Sequence, residues 1–430
     1  MNAQPISERR RGWCPGVRRP MATGDGLLVR LHPLSARISA GQARVIAEVA
    51  RQHGNGHLDI TARGNLQIRG VSEETYPALL EILEREGLAE PEGDGPNRLT
   101  AVSPLAGLDP LDHGDALALT WAIEDQAAHL DGLPAKFFIA VDGGGSMPLD
   151  AIGADLHLVA TGAAVAFGRS TPDGLDWIGT AGLTGAPEAA RSILAGFAEM
   201  RRSGRTDARR LRDLEPGLAD ELAASATLTR AAPPRKRPAA PHAGLFQTGR
   251  GAAVLLALPF GRCNAAQLVQ AAAWSERFGG GEIRLSFTRG LLLPGVADEH
   301  VAPLLAEAAR AGFITTADDP RLSLTACPGR PACASGLTPA PSDALRIAET
   351  SGDLLARGAS IHVSGCPKGC AYPGKADLTL VGRVDGRYDV VPQGSTRDIP
   401  SLTLSLDDIM KNLLPTKPAD LRRTALERSR

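Results

Sequence analysis

Four cysteines crowd into 44 residues near the C-terminal end of the chain: Cys327, Cys333, Cys366 and Cys370. They read Cys-x5-Cys, then 32 intervening residues, then Cys-x3-Cys. Four thiolates in two close pairs can meet at one soft metal centre, either zinc or an iron–sulfur cluster. Four-cysteine zinc sites normally keep two to four residues within a pair, so the five-residue gap is wide. The local sequences Cys327-Pro328-Gly329-Arg330 and Gly365-Cys366-Pro367-Lys368-Gly369-Cys370 are loops rich in Gly and Pro. Such loops turn backbone N–H groups toward cluster sulfides and tune their potential. The pattern favours a [4Fe–4S] cluster, with a zinc site and unrelated buried thiols as the alternatives. Six cysteines in 430 residues are too few for a disulfide scaffold. Of the other two, Cys263 reads as a small buried hydrophobe, and Cys14 is left without a partner.

The elements that must position these loops are written twice. Ala231-Ala232-Pro233-Pro234-Arg235-Lys236-Arg237-Pro238 breaks the chain near its middle and reads as an exposed crossover. Before it, a strand over Gly26–Leu31, a helix over about 40–52, a strand from His57 and an Arg63-Gly64 turn follow in order. After it come a strand over 254–258, a helix over 265–278, a strand over 282–287 and an Arg289-Gly290 turn. Downstream, Ser103-Pro104 matches Cys327-Pro328, and Asp155-Leu156 matches Asp377-Leu378. The offsets of these three markers drift slowly through 226, 224 and 222. That drift is the mark of a duplicated unit with small deletions. Ser103 then stands where the second half has a cysteine, so metal chemistry belongs to one half only. Two homologous halves imply a pseudo-twofold, with a ligand between them.

A duplicated α/β chain carrying Cys-x5-Cys and Cys-x3-Cys resembles the sulfite and nitrite reductases that couple a [4Fe–4S] cluster to sirohaem. Within that superfamily, two segments look like those of the precorrin-3B synthases of aerobic cobalamin biosynthesis. One is Gly12-Trp13-Cys14-Pro15-Gly16-Val17 with Arg19-Pro20-Met21-Ala22-Thr23-Gly24-Asp25-Gly26, and the other is Ser364-Gly365-Cys366 through Tyr372-Pro373. The resemblance covers about residues 20–410 and implies a duplicated α+β nitrite/sulfite reductase fold. Each half would hold a ferredoxin-like unit (15–90 and 243–312) and a cluster-type α/β domain (95–228 and 318–415, the latter binding the cluster), with 229–242 as linker. The activity implied is O2-dependent hydroxylation of precorrin-3A at a meso carbon with closure of a γ-lactone, a monooxygenase reaction. The cofactors implied are the [4Fe–4S] cluster and an additional non-haem iron. The alternatives are a sirohaem-dependent sulfite or nitrite reductase and a non-enzymatic four-cysteine zinc or electron-carrier protein.

Precorrins and sirohaem are polycarboxylates, which call for Arg and Lys. By the resemblance, Arg63 with Asn65 in Arg63-Gly64-Asn65-Leu66-Gln67, Arg98, and Lys136 in Lys136-Phe137-Phe138 face the tetrapyrrole. Two positions depart from the reductases: Phe138 stands where they carry a second lysine, and Leu28-Val29-Arg30 stands where they carry Arg-x-Arg. Both changes remove charge that a small-anion reduction would need to stabilise developing oxyanions, which favours the synthases.

Composition closes other routes. The net charge of −1 gives no basic patch for nucleic acid, and no apolar run reaches the ~18 residues of a membrane span. Arg9, Arg10 and Arg11 lack a following apolar region, so no secretory signal is read and a cytoplasmic protein is expected. Gly369-x4-Gly374-Lys375 nearly spells a phosphate loop, but Ala376 stands where Ser or Thr must hold Mg2+. No dinucleotide fingerprint follows a strand, so electrons are expected from a separate NAD(P)H-linked donor or ferredoxin. His32, His53, His57, His113 and His362 form no facial triad, and no iron ligand is assigned among them.

Overall fold

The computed structural model describes residues 14–92, 95–128, 130–171, 174–372 and 374–414. Arg9 to Trp13, Pro373 and residue 415 lie outside the described residues.

Among the described residues, four five-stranded sheets organise the chain, in two matched pairs. One pair is mixed. Thr100–Val102, Ile139–Asp142 and Leu156–Ala160 run parallel, and Ala164–Thr171 and Gly174–Gly182 continue antiparallel. Leu324–Ala326, Ile361–Ser364, Ala376–Gly382, Tyr388–Gly394 and Leu402–Leu404 repeat that order and those directions. The duplicated α+β architecture expected from the offsets is therefore present.

The other pair is antiparallel, and here the halves trade strands. Met21–Thr23, Gly26–Leu31, Leu66–Val71 and His57–Ile60 are completed by Arg262–Asn264 from the second half. Gly244–Thr248, Gly251–Ala257, Gly290–Val296 and Glu282–Leu285 are completed by Arg37–Ser39 from the first. These three-residue strands carry no periodicity a sequence reading could detect, and they escaped it. Each leads straight into a 14-residue helix, Ala40–His53 or Ala265–Phe278. The two helices start alike. Ser39 and Asn264 accept from the N–H of Gln42 and Gln267, whose side chains bond back to the capping residue. Such caps stabilise a helix start by about 1 kcal/mol and fix where the strand must end. Both helices and both sheets share one apolar core, from Val29, Ile46 and Leu58 to Leu256, Leu268 and Leu293. The ferredoxin-like units are thus one body, because neither sheet is complete without the other half.

Two further details show the repeat at atomic level. Asp155 accepts the Phe138 N–H at 3.2 Å, and Asp377 accepts the Ser360 N–H at 2.8 Å. In the turns, Gly64 N–H donates to Thr61 O, and Arg289 N–H donates to Ser286 O. Gly64 at φ +67° therefore corresponds to Arg289 at φ +66°. The two Arg-Gly dipeptides matched in the sequence are one residue out of step, so Arg63 and Arg289 are not equivalent positions. The proline-rich crossover has no regular structure, yet it is not loose: Arg237 grips Asp142 at 2.9 and 2.7 Å. No helix among the described residues is long and apolar enough to cross a membrane.

Candidate functional site

The four clustered cysteines sit on the two loops that leave the parallel strands Leu324–Ala326 and Ile361–Ser364. Cys327 and Cys366 are buried, Cys333 is half-buried and Cys370 is exposed. The loops close on each other through backbone: the Gly365 N–H donates to Cys327 Sγ at 3.1 Å, and the Leu337 N–H to Gly365 O at 2.7 Å. A side chain on Gly365 would press against Gly329 at 3.0 Å and lie 3.5 Å from Cys327 Sγ, so glycine is what lets them meet. The thiols sense one another. Burial first, then Cys327, Cys370 and Cys333, push the Cys366 thiol up, and burial with Cys327 and Cys333 does the same to Cys370. A metal centre would relieve this by taking the sulfurs as thiolates and releasing protons.

Among the described residues no group of three or more His, Cys, Asp or Glu is arranged to hold a single metal ion. The cysteines are near enough to act on one another.

A buried knot of positive charge lies on the first half. Arg30 and Gln67 are cross-strand partners. With its amide oxygen turned inward, Gln67 accepts from Arg30 Nη2 at 2.6 Å and Nε at 2.9 Å. Arg63, at the turn after His57–Ile60, lays its guanidinium 3.6 Å from the centre of the Phe138 ring. Arg98 donates to His32 O at 3.5 Å and stands 3.7 Å from Glu124. His32 is held neutral, its pKa pushed down to about 3 by burial and then by Arg30, Arg98 and Arg63. Burial, with Arg210 next, brings Arg63 down to about 10. Burial is the main cause of these shifts; Glu124 lies beside Arg98, Asp155 opposes the lowering of Arg63, and the Arg63 guanidinium itself meets an aromatic ring. A polycarboxylate would add opposing charge here.

Of the residues expected to face an anion, the structure brings Arg63 and Arg98 together with Arg30 and His32. Asn65 is half-buried in the same turn, its N–H donating to Thr61 Oγ1 at 3.2 Å. Lys136 is exposed, just ahead of the buried Phe137 and Phe138. Cys14 joins the group, since its sulfur is close enough to Arg30 and Arg63 to act on both. It also lines a half-open cavity of about 390 Å3 with Arg18, Arg19, Glu90, Asn97 and Ala135. Arg210 is an addition that no motif announced. It holds Asp155 through Nε at 2.8 Å and lies 5.9 Å from the Phe138 ring. Cys263 is buried, its thiol raised to about 12 by burial, in keeping with a hydrophobic role.

The first half has no cysteines at the matching place. Ser103, the counterpart of Cys327, is buried and accepts from the Leu105 N–H at 3.2 Å. Carboxylates fill the neighbourhood: Asp112 is raised to about 7 by burial and then by Asp109 and Asp142.

Comparison with known proteins agrees with this architecture. The nitrite/sulfite reductase ferredoxin-like half domain matches residues 19–86 and 246–311, one match per half. A precorrin-3B synthase from Sinorhizobium sp is 34% identical over 419 residues, covering 93% of this chain and 86% of that protein. A ferredoxin–nitrite reductase from Synechococcus elongatus is 28% identical over 438 residues, covering 88% of this chain and 81% of that one. The solved structure of Mycobacterium tuberculosis NirA shares the fold, with a TM-score of 0.72 at 20% identity over 93% of this chain and 84% of its own.

Proposed function

The chain belongs to the precorrin-3B synthase family within the nitrite and sulfite reductase superfamily, and on that premise we propose that it hydroxylates precorrin-3A at a meso carbon, with O2 as oxidant and with closure of a γ-lactone. The observation that carries this reading is the 34% identity to a precorrin-3B synthase along 93% of the chain. The buried arginines support it independently. Arg30, Arg63 and Arg98 surround a neutral His32, an environment fitted to acetate and propionate groups.

Cys327, Cys333, Cys366 and Cys370 are the residues that would hold a [4Fe–4S] cluster, for which their thiol donor set and glycine-lined loops are suited. When bound, such a cluster supplies one-electron transfer. The chain's own work is to bind and orient. Arg63, Arg30 and Arg98 take substrate carboxylates, while Phe138 gives Arg63 a flat, apolar support that excludes water from one side of the guanidinium. Asn65 and Lys136 complete the proposed contacts, Lys136 from the solvent edge. Electrons would come from a ferredoxin or an NAD(P)H-linked donor in the cytoplasm.

Anaerobic purification with an absorption spectrum and iron and sulfide analysis separates the readings. A broad brown shoulder with four irons per chain is expected for the cluster. Sharp Soret and red bands would instead mark a sirohaem reductase, and a colourless zinc protein would overturn the redox assignment.

A further inference from the structure

The cysteine loops belong to the second half, but what they rest on belongs to both. Arg69, on Leu66–Val71, is almost completely buried and donates through Nη2 to Ala332 O, inside the first cysteine loop. Arg289, at the turn before Gly290–Val296, donates through Nη2 to Ala371 O at 3.3 Å, beside Cys370 in the second loop. Asp59 lies beside the first of them. Its carboxylate stands 3.8 Å from Arg69 Nε, and it acts on Arg289 against the burial that lowers that group. Asp59 is itself pinned by Arg262 across the exchanged strands, at 2.6 and 3.0 Å.

We propose that Arg69 and Arg289 are positioning residues that clamp the two cysteine loops separately, one arginine to each loop. Three observations converge on this. Arg69 is also paired with Asp25 at 2.8 Å, in the hairpin whose Gly24 has no room for a side chain against Pro331, Cys333 and Ala334. The first cysteine loop is therefore seated on a surface made by the first half. Arg289 adopts φ +66° where the first half uses Gly64, a conformation that persists in a non-glycine residue when its surroundings hold it. Finally, the half without cysteines has an arginine on its matching loop too, although from a different position, the one the repeat aligns with Asp59. Arg284, from the ferredoxin-like body, donates to Pro104 O at 3.0 Å and Ala106 O at 2.7 Å, in the loop after Ser103. Both loops therefore rest on arginines of the shared ferredoxin-like body.

The inference rests on the cluster reading for its purpose, but its geometry is testable in the chain with or without metal. Hydrogen–deuterium exchange of the full-length protein, as purified and after reconstitution with iron and sulfide, reads each loop separately. The first loop carries the Cys333 N–H to Gly329 O and Gly336 N–H to Cys333 O bonds, and the second the Lys368 N–H bond to the Cys366 sulfur. Arg69→Gln should speed exchange several-fold in peptide 329–337 and leave 365–372 near wild type. Arg289→Gln should do the reverse, with Arg289→Lys restoring protection. Arg69 is buried in an ion pair, so Arg69→Lys replaces the glutamine variant if that does not fold, and the Arg289 pair then decides the proposal. Unchanged exchange at 365–372 in Arg289→Gln, or equal acceleration of both loops by either single arginine variant, would overturn the clamp. Absence of iron and sulfide from the reconstituted wild type would overturn the cluster reading and leave the exchange pattern to judge the clamp.

Discussion

Arg63 rests its guanidinium 3.6 Å from the centre of the Phe138 ring, and Phe138 stands where the reductases, by the resemblance, carry a lysine. In this chain the residue at 138 serves as a platform for Arg63. An ammonium at 138 would repel Arg63, whereas an aromatic face attracts it by about 0.5–2 kcal/mol. Phe138→Leu should therefore raise the KM for the tetrapyrrole several-fold with a smaller effect on kcat. Phe138→Lys should impair it further, because the two cations would be forced together. Steady-state kinetics on precorrin-3A checks both.

The basic residues should rank by how well their charge is already satisfied. Arg63 faces a ring, Arg98 lies near Glu124, and Lys136 is exposed. A charge-assisted hydrogen bond is worth about 1.5–3 kcal/mol. Arg63→Ala should therefore weaken tetrapyrrole binding by roughly 10- to 100-fold, Arg98→Ala less, and Lys136→Ala least. Fluorescence quenching titrations with the tetrapyrrole would measure the order.

Asp155 should be the costlier of the two equivalent aspartates. It is fully buried, accepts from Phe138 N–H and Leu211 N–H, and pairs with Arg210. Asp377 is half-buried and holds Ser360 alone. Removing one partner of a buried ion pair costs about 3–5 kcal/mol, so Asp155→Ala should destabilise far more than Asp377→Ala in denaturant unfolding. It should also loosen Phe138, and with it Arg63.

Asp112 makes stability pH-dependent. Its pKa in the folded chain is raised from 3.8 to about 7, so the folded state holds a proton that the unfolded state gives up. Its contribution is full below pH 4 and is lost as pH rises through about 7. Asp112→Asn should flatten that part of the pH–stability curve and raise the unfolding temperature at pH 8. A wild-type slope that survives the substitution would assign the pH dependence elsewhere.

Much of this was legible in the sequence where the signal was local. The capped helices Ala40–His53 and Ala265–Phe278, the repeated aspartates and the paired cysteines all announce themselves within a few residues. The strand exchange did not, because Arg37–Ser39 and Arg262–Asn264 are three residues long and owe their pairing to tertiary packing. The Arg63–Phe138 contact joins residues 75 apart, and only the departure from the reductase pattern drew attention to Phe138. Arg210 and the Arg69 contact to Ala332 are invisible for the same reason: nothing near either residue says what it will meet. The turns mislead by one residue, because Arg-Gly recurs in the sequence while the left-handed position falls on Gly64 and Arg289.

The central claim is the reaction, and turnover of precorrin-3A under O2 tests it most directly. The anaerobically purified protein, supplied with a reducing system and precorrin-3A, should yield on admission of O2 a product heavier by one oxygen atom that carries a γ-lactone. The same preparation should leave nitrite and sulfite unreduced. Reduction of nitrite or sulfite with no O2-dependent change in precorrin-3A would contradict the account.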